Sequence, residues 1–126
     1  MPQWHGGLGK RKNTGGKRRP SRSKRSYEKG SRPVETVLGE RTSRERRGLG
    51  GKKTIILLRA NEINVTDPKT KRTQKVKIEE VLENPANVDY NRRGVITRGA
   101  IVKTQFGNAK VTSRPGQCSV VNGILI

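Results

Sequence analysis

Apolar and polar positions alternate with a period of two through much of the C-terminal part of the chain. Thr54–Ala60 is a β-branched and apolar run with glycines just before it. Ile63-Asn64-Val65 and Gln74-Lys75-Val76-Lys77-Ile78 each put apolar side chains on one side and polar ones on the other. That is the pattern of a strand with one face buried. Between them, Asp67-Pro68-Lys69-Thr70 carries turn chemistry, because aspartate accepts hydrogen bonds from residues ahead of it and proline presets φ. Ile78, Val81 and Leu82 stand at i, i+3 and i+4, which predicts one helical turn. Asn84-Pro85 ends that turn, since the residue before a proline avoids the α region.

A hairpin is predicted near the C-terminus. Gly107-Asn108 between two strand-like runs reads as a two-residue loop of type II′. That loop sets Phe106 opposite Ala109, Thr104 opposite Val111 and Val102 opposite Ser113, a mostly apolar face. The other face carries Gln105 with Lys110 and Lys103 with Thr112. After an Arg114-Pro115-Gly116 turn, Ser119–Ile126 reads as a last strand. Short strands separated by turn signals predict a mainly β fold. A small closed or nearly closed β-barrel is favoured, because closure removes exposed sheet edges. No repeat with a period of 20–50 residues is present.

Composition divides the chain near Thr54. Residues 1–53 hold 17 Lys/Arg against 4 Asp/Glu, only 8 apolar residues, and ten of the fifteen glycines. Residues 54–126 hold 12 basic and 6 acidic residues, with 28 apolar ones. The first segment lacks the apolar surface to offset its ordering entropy. It is expected to be a long, basic, irregular N-terminal arm that orders where phosphates neutralise it. The second is expected to be the barrel domain, marginal in size, since a domain of this length buries only about 60% of its unfolded surface.

The whole chain has 126 residues, a net charge of +19 and a pI near 11.3. Such a surface repels itself unless it lies beside a polyanion. No run approaches the ~18 apolar residues of a membrane span, and no long amphipathic helix suits a membrane surface. No secretory leader is recognisable. One cysteine, Cys118, cannot form an internal disulfide, which suits a reducing compartment. The Asn64-Val65-Thr66 sequon is accordingly read as a chance match.

Catalytic chemistry is poorly represented. His5 is the single histidine, over a hundred residues from the single cysteine, so no metal-ligand spacing exists. Neither Gly16-Lys17 nor Gly51-Lys52 completes a Walker phosphate loop. Gly48-Leu49-Gly50-Gly51 satisfies a bare GxxG but has no flanking helix pair, and reads as a hinge between arm and barrel. Glu79, Glu80 and Glu83 cluster within one turn and read as a solvated face rather than an acid/base pair or a magnesium site. Cys118 has no histidine partner in the domain and is expected to be a small, buried or half-buried strand residue. No enzyme activity, cofactor, metal or small-molecule substrate is expected.

Binding chemistry is abundant. Arg11, Lys12, Lys17, Arg18, Arg19, Arg22, Lys24 and Arg25 recur every few residues among Gly, Ser, Thr and Pro. Arginine offers phosphate a planar fork of donors and lysine a point charge. Trp4 and Tyr27 either stack on unpaired bases or staple the arm to the barrel. Lys52 and Lys53 continue the contact at the hinge, and Arg92, Arg93, Arg98 and Arg114 add contacts from barrel loops. Lys69, Lys71, Arg72, Lys75 and Lys77 gather near the Asp67-Pro68 turn. No long basic helix is available to read a DNA groove, and an irregular arm suits folded RNA. An architectural DNA-binding protein is the alternative, and an RNA-directed enzyme using Glu79 or Glu83 the weaker rival.

Several stretches resemble a known family. These are Trp4 followed by Arg11-Lys12-Asn13-Thr14-Gly15-Gly16, then Lys24-Arg25-Ser26-Tyr27-Glu28, then Asn64-Val65-Thr66-Asp67-Pro68-Lys69-Thr70. Glu83-Asn84-Pro85-Ala86-Asn87, Arg98-Gly99-Ala100-Ile101 and Val111-Thr112-Ser113-Arg114-Pro115-Gly116-Gln117 follow, leading to Val120-Val121-Asn122. In this order they resemble the archaeal form of the small-subunit ribosomal protein S-eight-e family, shared by archaea and eukaryotes. The resemblance implies a small β-barrel with a basic N-terminal extension, embedded in small-subunit rRNA beside neighbouring ribosomal proteins. It implies a structural, non-catalytic role in a cytoplasmic, ribosome-bound protein. Cys118-Ser119 stand where that family usually has Asp-Gly.

Overall fold

A computed structural model describes residues 7, 9–23, 25–28 and 30–126. The chain divides into two compact units, Met1–Pro33 and Val34–Ile126. The larger unit contains β1 (Thr36–Leu38), β2 (Thr42–Arg47), β3 (Lys53–Ala60), β4 (Glu62–Thr66), β5 (Thr73–Glu83), α1 (Val88–Arg92), β6 (Val95–Ile96), β7 (Ile101–Thr104), β8 (Gly107–Val111), α2 (Pro115–Cys118) and β9 (Asn122–Leu125). β4, β5, β7, β8 and β9 close into a barrel, while β2, β3, β1 and β6, in that order, form a separate four-stranded sheet. The mainly β reading and the closed barrel are therefore present.

Period-two alternation fills the barrel. Ile63 and Val65 of β4, Val76 and Ile78 of β5, Val102 of β7, and Ala109 and Val111 of β8 are buried. Their neighbours Lys75, Lys77, Lys103 and Lys110 are exposed. Closure is made by the one parallel pair in the barrel, β4 with β9, in the register Val65↔Gly123. Asn64 Nδ2 donates to Asn122 Oδ1 across that seam at 3.0 Å.

The sheet shares the barrel's core. β3 runs almost directly into β4 through Asn61, whose carbonyl accepts from the Ile78 amide at 2.8 Å. Leu57, Ala60 and Ile96 pack in one apolar cluster with the barrel interior. Thr36, itself buried, satisfies its hydroxyl on the Leu57 carbonyl at 2.7 Å. Asn84 is another buried polar tie: Nδ2 donates to the Val95 carbonyl at 2.9 Å, and Oδ1 accepts from the Ala86 amide and the Thr97 hydroxyl. Asn84-Pro85 thus ends an element, but the element is a strand.

Five expectations change. First, ordered sheet structure begins well before Thr54: β1 and β2 pair along β3, with registers Val37↔Arg59 and Arg44↔Ile56. A strand as polar as β2 orders because β3 supplies a template whose edge would otherwise be unpaired. Second, Gly48–Gly51 is the turn joining β2 to β3, with the Gly48 amide bonded to the Lys52 carbonyl, not a hinge between an arm and the barrel. Third, Ile78, Val81 and Leu82 lie within β5. Register shifts between Ile78 and Glu80, and between Val81 and Glu83, bend the strand. Such irregularities displace side chains by one position, which imitates helical spacing; Val81 is buried and Leu82 exposed.

Fourth, the β7–β8 loop is Gln105-Phe106 rather than Gly107-Asn108. Val102 pairs with Ala109 and Thr104 with Gly107. Gly107 takes φ 123° just after the loop, and Thr104 Oγ1 donates to its carbonyl at 2.7 Å. The inward residues Val102, Thr104, Ala109 and Val111 are nevertheless those expected, because the register differs by an even number of positions and faces survive an even slip. Phe106 leaves that face and is 56% exposed. Fifth, the last strand is shorter than Ser119–Ile126. Cys118 is exposed, in α2 rather than in a strand. Pro115 starts that short helix and Ser119 ends it in the left-handed region at φ 55°.

Candidate nucleic-acid interface

In the smaller unit, Arg11 and Lys17 form an isolated antiparallel bridge around the loop 12–16. The Lys12 amide donates to the Gly16 carbonyl, the Gly15 amide to the Lys12 carbonyl, and Arg11 Nη1 to the Gly15 carbonyl at 3.0 Å. Lys12, Lys17, Arg18, Arg19 and Arg25 are exposed. Arg22 is engaged: its Nη1 and Nη2 grip both carboxylate oxygens of Glu28 at 2.6 and 2.7 Å. The Arg25 amide also donates to Glu28, closing a 3₁₀ turn over Ser26–Glu28. These bonds, the Arg22 guanidinium foremost, hold the Glu28 carboxyl at about 2. Tyr27 in the same turn is 72% exposed. Trp4 and Lys24 lie outside the described residues, as does His5.

In the larger unit, Lys52 and Lys53 stand at the base of β3 beside the turn from β2. Lys53 Nζ lies 3.3 Å from Glu45, both side chains well exposed. Arg92 closes α1 and is exposed; the next residue, Arg93, forms an ion pair with Glu35. Asn87 caps that helix by accepting from the Asp89 amide. Arg98 is exposed on the loop before β7, whose Gly99 amide bonds the Val111 carbonyl. That bond sets the Arg98 loop beside the strand end leading to Arg114, the exposed residue preceding α2.

The Asp67 turn forms as its sequence requires. Asp67 Oδ1 accepts from the Lys69 amide at 2.9 Å and Oδ2 from the Thr70 hydroxyl at 2.8 Å. These contacts, the Lys69 amide first, lower the Asp67 pKa from its ordinary value. The turn thereby displays Lys69, Lys71 and Arg72 outward. Glu79, Glu80 and Glu83 are exposed on β5, with Glu79 3.8 Å from Lys103. Among the described residues no group of His, Cys, Asp and Glu could hold a metal ion, and no helix is long and apolar enough to cross a membrane.

Sequence reasoning passed over the basic residues of β2. Arg44, Arg46 and Arg47, with Arg41 just before them, were part of a general positive charge, and the segment had no apolar face to mark it as a strand. The signal available was the Gly-rich turn 48–51 ahead of the apolar run of β3, which a second strand could flank. Phe106, expected opposite Ala109 on the mostly apolar hairpin face, instead stands at the loop and lines a recess with Val65, Arg72, Gln74 and Leu125.

A closed β-barrel with an added four-stranded sheet and a large excess of exposed arginine and lysine make this a small, strongly basic β protein. Its lineage follows from sequence comparison. Residues 5–126 match the family described as ribosomal protein S8e, and the chain belongs to that family. It is 47% identical to the small ribosomal subunit protein eS8 of Picrophilus torridus, over 95% of this chain and 96% of the relative. The proteins of the same name from Methanospirillum hungatei and Sulfolobus acidocaldarius are 48% and 45% identical, each over 98% of this chain and 98% and 97% of the relative. These relatives carry the names of small-subunit ribosomal proteins, and the family is not known as one of enzymes.

Proposed function

We propose that the chain binds small-subunit rRNA through phosphate contacts and stabilises the folded RNA, packed among neighbouring ribosomal proteins in the cytoplasm. The observation that carries this is the excess of positive over negative charge. Residues 1–33 hold eleven Lys/Arg against one Glu, a net of +10, and Glu28 is committed to Arg22. Lys12, Lys17, Arg18, Arg19 and Arg25 are exposed, as Arg11 is, and act as phosphate ligands, with Lys24 in the same run. Arg22 joins them by exchanging Glu28 for phosphate. Lys52, Lys53, Arg92, Arg98 and Arg114 supply contacts from the larger unit, with Arg93 sharing its charge with Glu35. Trp4 and Tyr27 stack on unpaired bases. On this reading residues 1–33 supply a basic extension that embraces RNA, and residues 34–126 the folded body, with its barrel, that anchors it.

If about eight arm residues each neutralise a phosphate, log K falls with log salt at a slope of roughly −6. Replacing Arg11, Arg18, Arg19 and Arg25 together by glutamine is expected to weaken binding to all RNA sequences and flatten that slope by about 3. Filter binding of small-subunit rRNA across a salt series checks this. Unchanged affinity would refute the arm's role, and tighter retention of duplex DNA than of rRNA at matched salt would favour a DNA-binding protein.

A further inference from the structure

The outer end of the hairpin formed by β2 and the start of β3 is largely exposed, and protein cover begins only at Ile56, the buried partner of Arg44. All six residues of β2 are exposed, as are Lys52, Lys53 and Ile55, and Leu49 at the tip is fully exposed. β2 is also the outer strand of its sheet. A two-stranded ribbon that buries so little apolar surface at its outer end gains little there from folding in water. The register fixes where its charges point. Arg44 pairs with Ile56 and Arg46 with Thr54, so both arginines lie on one face. Arg47 pairs with Lys53 on the opposite face, where Glu45 offsets one of the two charges. Cations thus project from both sides of a thin ribbon. Its tip is slender: Gly50 and Gly51 take φ 69° and 76°, and a Cβ at either would meet nothing within 4 Å.

Guarding a sheet edge against aggregation calls for charge along one strand. It does not call for cations on both faces or for a bare glycine tip. We propose that the β2–β3 hairpin inserts between two facing phosphate strands of the rRNA, with Arg44 and Arg46 on one strand and Arg47 and Lys53 on the other. This rests on the rRNA-binding reading and adds a second anchoring element, carried by the larger unit and separate from the arm. Arginine's planar fork suits such contacts, and an insertion geometry uses both faces where a surface contact would use one.

The test uses the full chain in two double variants, R44Q/R46Q and R47Q/K53Q, with binding to a small-subunit rRNA transcript followed across a salt series. All four side chains are exposed, so circular dichroism and the thermal midpoint should stay at the values of the unsubstituted chain. Each doublet is expected to weaken binding at least threefold at 0.1 M salt and to flatten the log–log slope by about 1.4, from two contacts at about 0.7 each. A hydroxyl-radical source tethered at L49C, in a C118S background, should cleave two RNA segments distant in sequence. An effect from one doublet only, with cleavage of a single segment, would mean the ribbon rests on a surface and would overturn insertion. Full affinity in both doublets would overturn the hairpin's role while leaving rRNA binding intact. Failure of the unsubstituted chain to bind the transcript would overturn the rRNA reading and the insertion with it.

Discussion

Glu28 shows how one acidic side chain is used in a strongly basic segment. Its carboxylate is held by the Arg22 fork and the Arg25 amide, which stabilise the charged form. Its pKa therefore falls from the ordinary 4.5 to about 2. A depressed carboxylate stabilises the turn fully above its unfolded pKa, and that contribution is lost as pH falls from 4.5 through about 2. The side-chain carboxyl carbon of Glu28 should titrate near 2 in an NMR pH series, and R22Q should move the midpoint back toward 4.5. A Glu28 midpoint at the ordinary value in the unsubstituted chain would show that the pair does not form in solution. The same pair bears on binding: an arginine already holding a carboxylate gains less from a phosphate than an unengaged one does. Arg22 and Arg93 should therefore contribute less per residue than Arg18 or Arg114.

The barrel's elements depend on a tight seam. In β9, Gly123 faces inward between β4 and β8, and a Cβ there would stand 2.9 Å from Ile63 Cδ1 and 3.0 Å from the Lys110 carbonyl oxygen. The first neighbour is a buried core side chain and the second is strand backbone, so neither yields easily. G123A is expected to destabilise the protein by about 1–3 kcal/mol, as overpacking does, read as a lower urea midpoint with an unchanged denaturant slope. Val111 and Val65, the register partners of Gly123, are buried, so no room is available for the strand to retreat. Among the individual elements, the Asp67 turn and the alternation of β4 and early β5 were legible in sequence, because each is settled by residues adjacent along the chain. The bends in β5 were not, since a bulge arises from pairing with a partner strand, here β7, and leaves apolar spacing that mimics a helical turn.

At the level of the whole molecule, the core cluster lies entirely within the larger unit. A chain beginning at Val34 is expected to keep its β-type circular dichroism and a cooperative thermal transition, with a flatter salt dependence of RNA binding. A chain beginning at Thr54 discards β1 and β2, strips both flanks of β3, and leaves Ile96 and Val95 without the strand they pair with through Thr36 and Val37. Its thermal midpoint should fall markedly, and it should aggregate through the freed edges. Equal stability of the two truncations would show that the N-terminal strands do not belong to the folded body. Much of the candidate site was legible, because charge and composition require no folding to be read. The arginines of β2 were not singled out, because the faces on which they stand are set only by pairing with β3.

Charge, the division into a glycine-rich basic leader and an apolar remainder, and the inward faces of β4, early β5, β7 and β8 were determined by the sequence alone, since these depend on composition or on a local period of two. Tertiary structure decided which strands pair, where the β7–β8 loop falls, that β1 and β2 join β3, and that β4 meets β9 in parallel to close the barrel. Those outcomes rest on contacts between residues far apart along the chain. An even change of register leaves every side chain on its face, so the buried pattern is the same for several pairings, and only the packed core selects among them.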